Sequence, residues 1–151
     1  MTSLQLTSPR FEDGDPIPHE YGYTERNANP PLEISGVPND AESLALVVDD
    51  PDAVEPAGKV WDHWIVWNIE PDTETIPEGW DAAEAIEGRN DYDDRGYGGP
   101  NPPDQEHTYQ FQLYALDERL DLDAGSTKND FQSHIHGHVI DDAQLNGTYA
   151  P

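Results

Sequence analysis

Cysteine is absent from the 151 residues, which excludes disulfides, a thiol nucleophile and thiolate metal sites. Positive charge is scarce. Lys59 and Lys128 are the only lysines, and Lys plus Arg number 7 against 32 acidic residues, for a formal charge of −25. Nucleic acid binding through phosphates needs a basic stripe, so that partner class is excluded, and anionic membrane surfaces with it. No apolar run approaches the ~20 residues of a spanning helix, so no membrane insertion is expected. Met1-Thr2-Ser3-Leu4-Gln5 lacks the charged start and apolar stretch of a secretory signal. The expectation is a soluble, cytoplasmic protein. A Ser-His-Asp order, a P-loop and a dinucleotide fingerprint are also missing. No catalytic residue, metal site or cofactor is assigned, and the protein is read as a non-enzyme.

The acidic excess has two readings, disorder and adaptation to salt. Disorder needs few aromatic and β-branched residues, whereas 4 Trp, 7 Tyr and 3 Phe are present, mostly in strand-like apolar runs. The chain should therefore fold, as a single domain over residues 1–151. Self-repulsion at this charge opposes a compact state unless ions screen it; in roughly 1 M salt the Debye length falls to about 3 Å. The composition is that of a protein from a salt-rich cytoplasm.

Spread through the sequence, 14 prolines and 12 glycines imply many short elements joined by turns, and no helical pattern exceeds about three turns. Leu44 to Val48 is a continuous apolar run, consistent with a strand buried on both faces. Val60 to Ile69 alternates with both faces apolar: Trp61, Ile65, Trp67 and Ile69 on one, Val60, Trp64 and Val66 on the other. His107 to Leu116 puts His107, Tyr109, Phe111, Leu113 and Ala115 on one face. Short helices are predicted over 81–86 and 129–136, the second stopped by Gly137, and final strands over 138–140 and 147–149. The N-terminal third is loop-rich. The class is mainly β, a sandwich or open barrel with a few short peripheral helices.

Two segments about forty residues apart carry the chemistry. In Asp50-Pro51-Asp52, proline pushes the preceding residue into an extended conformation, which would turn both carboxylates to one side. In so acidic a chain, an acidic surface turn is the bland alternative. His63 lies within the most hydrophobic strand, where a buried imidazole needs partners; a packed core histidine is the ordinary explanation. His107 repeats the pattern, with Tyr109 on the same face. Two strand-entry histidines beside Pro/Gly turns favour a pocket. Gly98-Gly99-Pro100-Asn101-Pro102-Pro103 offers the amides of Gly98, Gly99 and Asn101 as an anion nest, or is simply a rigid loop.

Asp50-Pro51-Asp52-Ala53, Trp61-Asp62-His63-Trp64 through Asn68-Ile69, Gly99-Pro100-Asn101-Pro102-Pro103 and His107-Thr108-Tyr109 resemble the phosphatidylethanolamine-binding protein family, in its prokaryotic Raf-kinase-inhibitor-like branch. The flanks agree: Leu6 to Phe11 with Gly14 and Ile17-Pro18, Asn29-Pro30-Pro31-Leu32, Arg89-Asn90-Asp91-Tyr92, Leu113 to Asp117, and His138-Val139-Ile140 to Tyr149. The resemblance implies an antiparallel β-sandwich with a small pocket for phosphate, phosphoryl groups, carboxylates or similar anions. Carried over by motif, the ligand-binding residues are Asp50, Asp52, Trp61, His63, Gly99, Pro100, Asn101, Pro102, His107 and Tyr109. Val54 stands where the family usually has proline, and Asn101 where the prokaryotic branch often has cysteine. Smaller members often pair, which makes a homodimer an expectation as well.

The leading reading is thus a non-catalytic, regulatory binding module for a small anionic or phosphorylated ligand. Its rivals are a metal-dependent hydrolase using Asp50, Asp52, His63 and His107 as ligands, and a protein-interaction scaffold whose pocket is vestigial. A physical tension accompanies the first, because Asp50 and Asp52 should repel an anion. Protonated histidines, a neutral carboxyl or loop amides would have to offset them, and affinity should then rise as pH drops through the histidine range. His134, His136 and His138 invite a metal reading, but Gly137 should end the helix between them, leaving His138 to begin a strand.

Overall fold

The computed structural model describes residues 3–151. Its strands are β1 (Gln5–Thr7), β2 (Leu32–Ser35), β3 (Ser43–Asp50), β4 (Trp61–Ile69), β5 (Thr75–Ile76), β6 (Ile86–Glu87), β7 (His107–Leu116) and β8 (Val139–Tyr149), with helices α1 (Val54–Ala57) and α2 (Lys128–Ile135). They form a 5-stranded sheet ordered β6-β4-β3-β7-β8 and a 3-stranded sheet ordered β1-β2-β5. Pairing is antiparallel throughout both sheets. The expected mainly-β, antiparallel sandwich class is what forms. Among the described residues no helix is long and apolar enough to cross a membrane.

The larger sheet is covered on both faces. Leu44, Leu46, Val48, Trp64, Val66, Phe111 and Leu113 pack toward Leu6, Leu32, Ile34 and Tyr21 of the smaller sheet and the N-terminal third. On the opposite face, Ala45, Val47, Ile65 and Trp67 pack under Phe131 and Ile135 of α2. This explains why β3 is buried at every position and why its sequence does not alternate.

β4 departs from the simple alternation expected of it. Leu44 and Leu46 face Ile69 and Val66, and Val48 and Asp49 face Trp64 and Asp62, so β4 carries an extra residue at two places. Such bulges reset which face a side chain takes. Ile69 therefore joins Trp64 and Val66 rather than Trp67. Asn68, in the left-handed region with φ 57, makes that bulge, and its amide exchanges two hydrogen bonds with the Leu120 backbone at 2.9 and 2.7 Å. The second bulge, around His63, decides the site. It leaves Asp62 on the α2 side, bonded to Lys128 at 2.6 Å, and turns Trp61 and His63 to the opposite side.

Helical expectations fare unevenly. The 129–136 segment is α2, opened by a capping box between Thr127 and Asp130 and closed before Gly137, whose φ is 84. The 81–86 segment is a turn, with Ala82 at φ 54 and an Ala85-to-Ala82 hydrogen bond; its end becomes edge strand β6. The two short final strands are one continuous strand, β8.

Candidate functional site

The C-terminal end of β3 and the N-terminal ends of β4 and β7 meet at one end of the larger sheet, because neighbouring strands run antiparallel. There Asp50, Ala53, Pro56, Ala57, Trp61, His63, Tyr92, Asn101, Pro102, Pro103, His107 and Tyr109 line a cavity of about 200 Å³. That is below the ~300–1,000 Å³ of drug-sized sites and suits a small group. A larger cleft of about 630 Å³ lies along Glu33, Asp72 and Glu74, where carboxylates line the wall and no motif converges.

Asp50 ends β3 and accepts from the Asp52 amide at 2.9 Å, capping a single 3-10 turn over Pro51–Ala53. The chain thus turns at Pro51 rather than staying extended, and the two carboxylates part. Asp50 Oδ2 pairs with His107 Nδ1 at 2.6 Å. Asp52 is exposed and accepts from the Thr108 amide at 2.9 Å, clipping the turn to β7 outside the cavity lining.

The two imidazoles are opposites. His63 Nδ1 lies 2.7 Å from the Gly98 carbonyl, which can only accept, so Nδ1 carries the hydrogen. Gly98 N–H returns a bond to the His63 carbonyl at 2.8 Å. Burial pushes this imidazole down to about 4, so the ring is neutral with its lone pair at Nε2. His107 is buried too, but its Nε2 also meets Asp104 Oδ1, at 2.7 Å. Burial alone would lower it; the carboxylates of Asp50 and Asp104 outweigh burial and raise it. Burial likewise lifts the Asp50 carboxyl, against the His107 hydrogen bond, and two carboxylates on one ring favour the protonated form of His107.

Gly98 and Gly99 serve packing. A side-chain carbon on Gly98 would meet the Tyr92 ring at 2.4 Å, and one on Gly99 would meet the Tyr21 carbonyl at 2.2 Å. Their amides are already used, by the His63 carbonyl at 2.8 Å and by Asn27 Oδ1 at 2.7 Å. Of the three loop amides expected to face an anion, only that of Asn101 is not held in this way; it lies beside the Tyr109 hydroxyl. Pro100 accepts from Tyr23 N at 2.9 Å, and among the described residues no peptide bond is cis. Gly99 and Pro100 hold the loop from behind, while Asn101 and Pro102 reach the wall.

Two donors of wall residues make no hydrogen bond of ordinary geometry: Trp61 Nε1, and Tyr109 Oη, which has the Asp50 carboxylate and the Asn101 amide beside it. The Tyr109 hydroxyl lies close enough to Asp50 and the Asn101 amide for them to bear on its acidity, which burial mainly suppresses. Tyr92 is the residue that sequence reasoning passed over as a site member. It stacks on Tyr23 at 3.9 Å between ring centroids, meets Trp61 and His63 edge-on, and donates to the Gly99 carbonyl at 2.8 Å. The available signal was its place in Arg89-Asn90-Asp91-Tyr92, a segment that carries the family resemblance; in the structure Asp91 Oδ2 ties that turn to β4 by accepting from the Asp62 amide at 2.7 Å. Ala53, Pro56, Ala57 and Pro103 add an apolar rim with no chemical signature of its own.

The histidine-rich stretch lies elsewhere. His134 and His136 are exposed, and His138 precedes β8 with Asp117 and Glu118 at 2.9 and 3.6 Å. Those three are the one group among the described residues whose ligand atoms converge as a metal site would need. The cavity residues do not converge in that way, and both nitrogens of His107 are already held.

Residues 7–150 match the sequence profile of the family described as phosphatidylethanolamine-binding protein. A UPF0098 protein of Methanothermobacter thermautotrophicus is 42% identical over 151 residues, spanning 97% of this chain and 98% of its own. The crystal structure of the phosphatidylethanolamine-binding protein homolog CT736 from Chlamydia trachomatis superposes with a TM-score of 0.91 at 41% identity, covering 99% of this chain and 98% of that one. Escherichia coli YbcL, described as a new member of the mammalian PEBP family, gives a TM-score of 0.89 at 31% identity, over 97% and 98% of the two chains. The chain belongs to the phosphatidylethanolamine-binding protein family.

Proposed function

We propose that this protein is a non-catalytic binding module that takes a small phosphate, phosphoryl or similar anionic group into the cavity between β3, β4 and β7. The observation that carries this is the pair of unpartnered donors. Elsewhere the buried indoles and phenols are paired: Trp64 with Glu87, Trp67 with the Leu122 carbonyl, Tyr97 with the Tyr21 carbonyl and Tyr149 with the His19 carbonyl. A buried donor left unpaired costs about 1–3 kcal/mol. Trp61 and Tyr109 leave two in the wall of one small cavity, where an oxyanion would satisfy both.

Charge is the opposing consideration, and His107 supports the reading there. Protonated, it offsets Asp50, while Asp104 stays at the exposed edge. His63 offers no charge above about pH 4, so pH dependence falls to His107, faced by Asp50, Asp104, Tyr109 and, more distantly, neutral His63. As pH rises through its raised value, its charge is lost and the carboxylates stand uncompensated. Anion affinity should then fall.

Calorimetry with inorganic phosphate in molar KCl tests this with wild type, Trp61→Phe and Tyr109→Phe. Each substitution removes one donor while keeping the aromatic bulk, and each is expected to weaken binding about tenfold. Absence of heat with wild type between about pH 5 and 8, or unchanged affinity in both variants, would overturn the reading. The hydrolase alternative would need a metal on residues that already hold one another, and the scaffold alternative leaves the two donors unexplained.

A further inference from the structure

The polar atoms of the cavity are of two kinds. Trp61 Nε1–H, Tyr109 Oη–H and the Asn101 amide can donate. His63 can only accept, because Nδ1 is committed to the Gly98 carbonyl at 2.7 Å and the ring keeps its lone pair at Nε2. Asp50 adds a second acceptor, with Oδ1 on the Asp52 amide and Oδ2 on His107, and each carboxylate oxygen retains a lone pair. A fully ionised oxyanion has acceptors alone. It would satisfy these donors and set its remaining oxygens against the His63 and Asp50 lone pairs, in a protein that already carries −25.

Resting on the anion-binding reading above, we propose that the cavity selects oxyanions that still carry a proton, namely hydrogen phosphate and phosphate monoesters, over sulfate and phosphodiesters. A P–OH group donates to the His63–Asp50 side while the anionic oxygens accept from Trp61 and Tyr109. A site whose buried groups expect a donor rejects the analogue lacking it more strongly than a purely apolar wall could.

The tautomer of His63 is not free to adjust. The reciprocal bond from Gly98 N–H to the His63 carbonyl fixes the loop against β4. The Tyr92 and Tyr109 rings flank the imidazole edge-on at 5.7 and 5.2 Å. Flipping the ring would place a lone pair against the Gly98 carbonyl. Burial works to the same end, since an imidazole held near pH 4 does not become a second donor in ordinary buffers.

Four probes separate the terms at about pH 5.5, just below the second ionisation of a phosphomonoester near pH 6. Inorganic phosphate and methyl phosphate carry P–OH; sulfate and dimethyl phosphate do not. Sulfate matches phosphate in size and differs in charge, whereas dimethyl phosphate matches methyl phosphate in charge and differs in size. Dimethyl phosphate also stands for a phosphodiester headgroup presented by a lipid. Calorimetric Kd values are expected to be at least about tenfold weaker for both proton-free probes. His63→Gln, whose amide can present N–H as readily as oxygen, is expected to narrow the phosphate-to-sulfate ratio; should that variant not fold, the wild-type ratios decide alone. Equal binding of all four probes would overturn the selectivity and leave the anion site standing, as would parity between methyl and dimethyl phosphate. No binding of any probe would overturn the anion site itself.

Discussion

Two buried histidines from similar sequence settings are expected to take opposite protonation states. His63 should remain a neutral Nδ1–H tautomer and titrate near pH 4, while His107, gripped by Asp50 and Asp104, should hold its proton above the ordinary range. Nitrogen-detected NMR of the imidazoles through a pH series reads both; two ordinary titrations near 6.5 would contradict the site as described. The sign for stability differs too. With its folded value depressed from 6.5, His63 contributes stability present above about pH 6.5 and lost as pH falls toward 4, about 3 kcal/mol in all. His107, raised, contributes stability present below about pH 6.5 and lost as pH rises through its folded value. Sequence made both residues visible, as imidazoles entering apolar strands. It could not separate them, because the difference lies in partners, a carbonyl for one and two carboxylates for the other, that the fold brings from other segments. Lys128 was equally opaque. Its sequence looks like a leftover of acidic selection, yet it is mostly buried and neutralises Asp49 at 3.2 Å and Asp62 at 2.6 Å on the underside of the site strands.

Strand identity was legible and strand phase was not. β3, β4 and β7 stand where their apolar patterns put them, because burial on one or both faces writes itself into the sequence. The two bulges of β4 leave no such mark, since a bulge changes facing without changing composition. Asn68 was the one hint, being among the few residue types that tolerate the left-handed region. Asn68→Ala should cost about 2–3 kcal/mol, from strain at positive φ and from the Leu120 amide and carbonyl losing their partner; urea denaturation at fixed salt measures it, and a loss below about 0.5 kcal/mol would show that the bulge does not depend on that side chain. The glycine turn is a parallel case. Its Gly-Gly-Pro pattern pointed to an anion nest, but the amides of Gly98 and Gly99 are occupied by protein groups and their missing side chains make room for Tyr92 and the Tyr21 carbonyl. Gly99→Ala should therefore destabilise the fold more than it alters charge selection. The false helix at 81–86 arose from acidic and alanine residues with a glycine stop, a local preference overridden by the pairing of β6 with β4.

At the scale of the molecule, most of the cations are taken up in ion pairs at the surface. Arg10 and Arg26 bridge Glu20 and Glu78, Lys59 and Arg89 hold Asp91 and Asp93, and Arg119 holds Glu70. Little positive charge remains to screen a net −25. Exposed pairs of this kind are worth at most about 1 kcal/mol each, so mobile ions must moderate the repulsion. Melting temperature should rise as KCl goes from low to molar levels; a fall would sever the acidic composition from salt adaptation. Family membership and sheet architecture were legible across nearly the whole chain because the motifs are strung along it, from Asp50-Pro51-Asp52 to His107-Thr108-Tyr109. The donor inventory of the cavity was not, since an unpaired atom is defined by everything around it. The most direct measurement is therefore a crystal soaked with phosphate in molar KCl. Density for an oxyanion within hydrogen-bonding distance of Trp61 Nε1 and Tyr109 Oη, beside His63, is the expected result. A cavity without such density under saturating phosphate, or phosphate bound instead in the cleft of Lys59, Arg89 and Lys128, would contradict it.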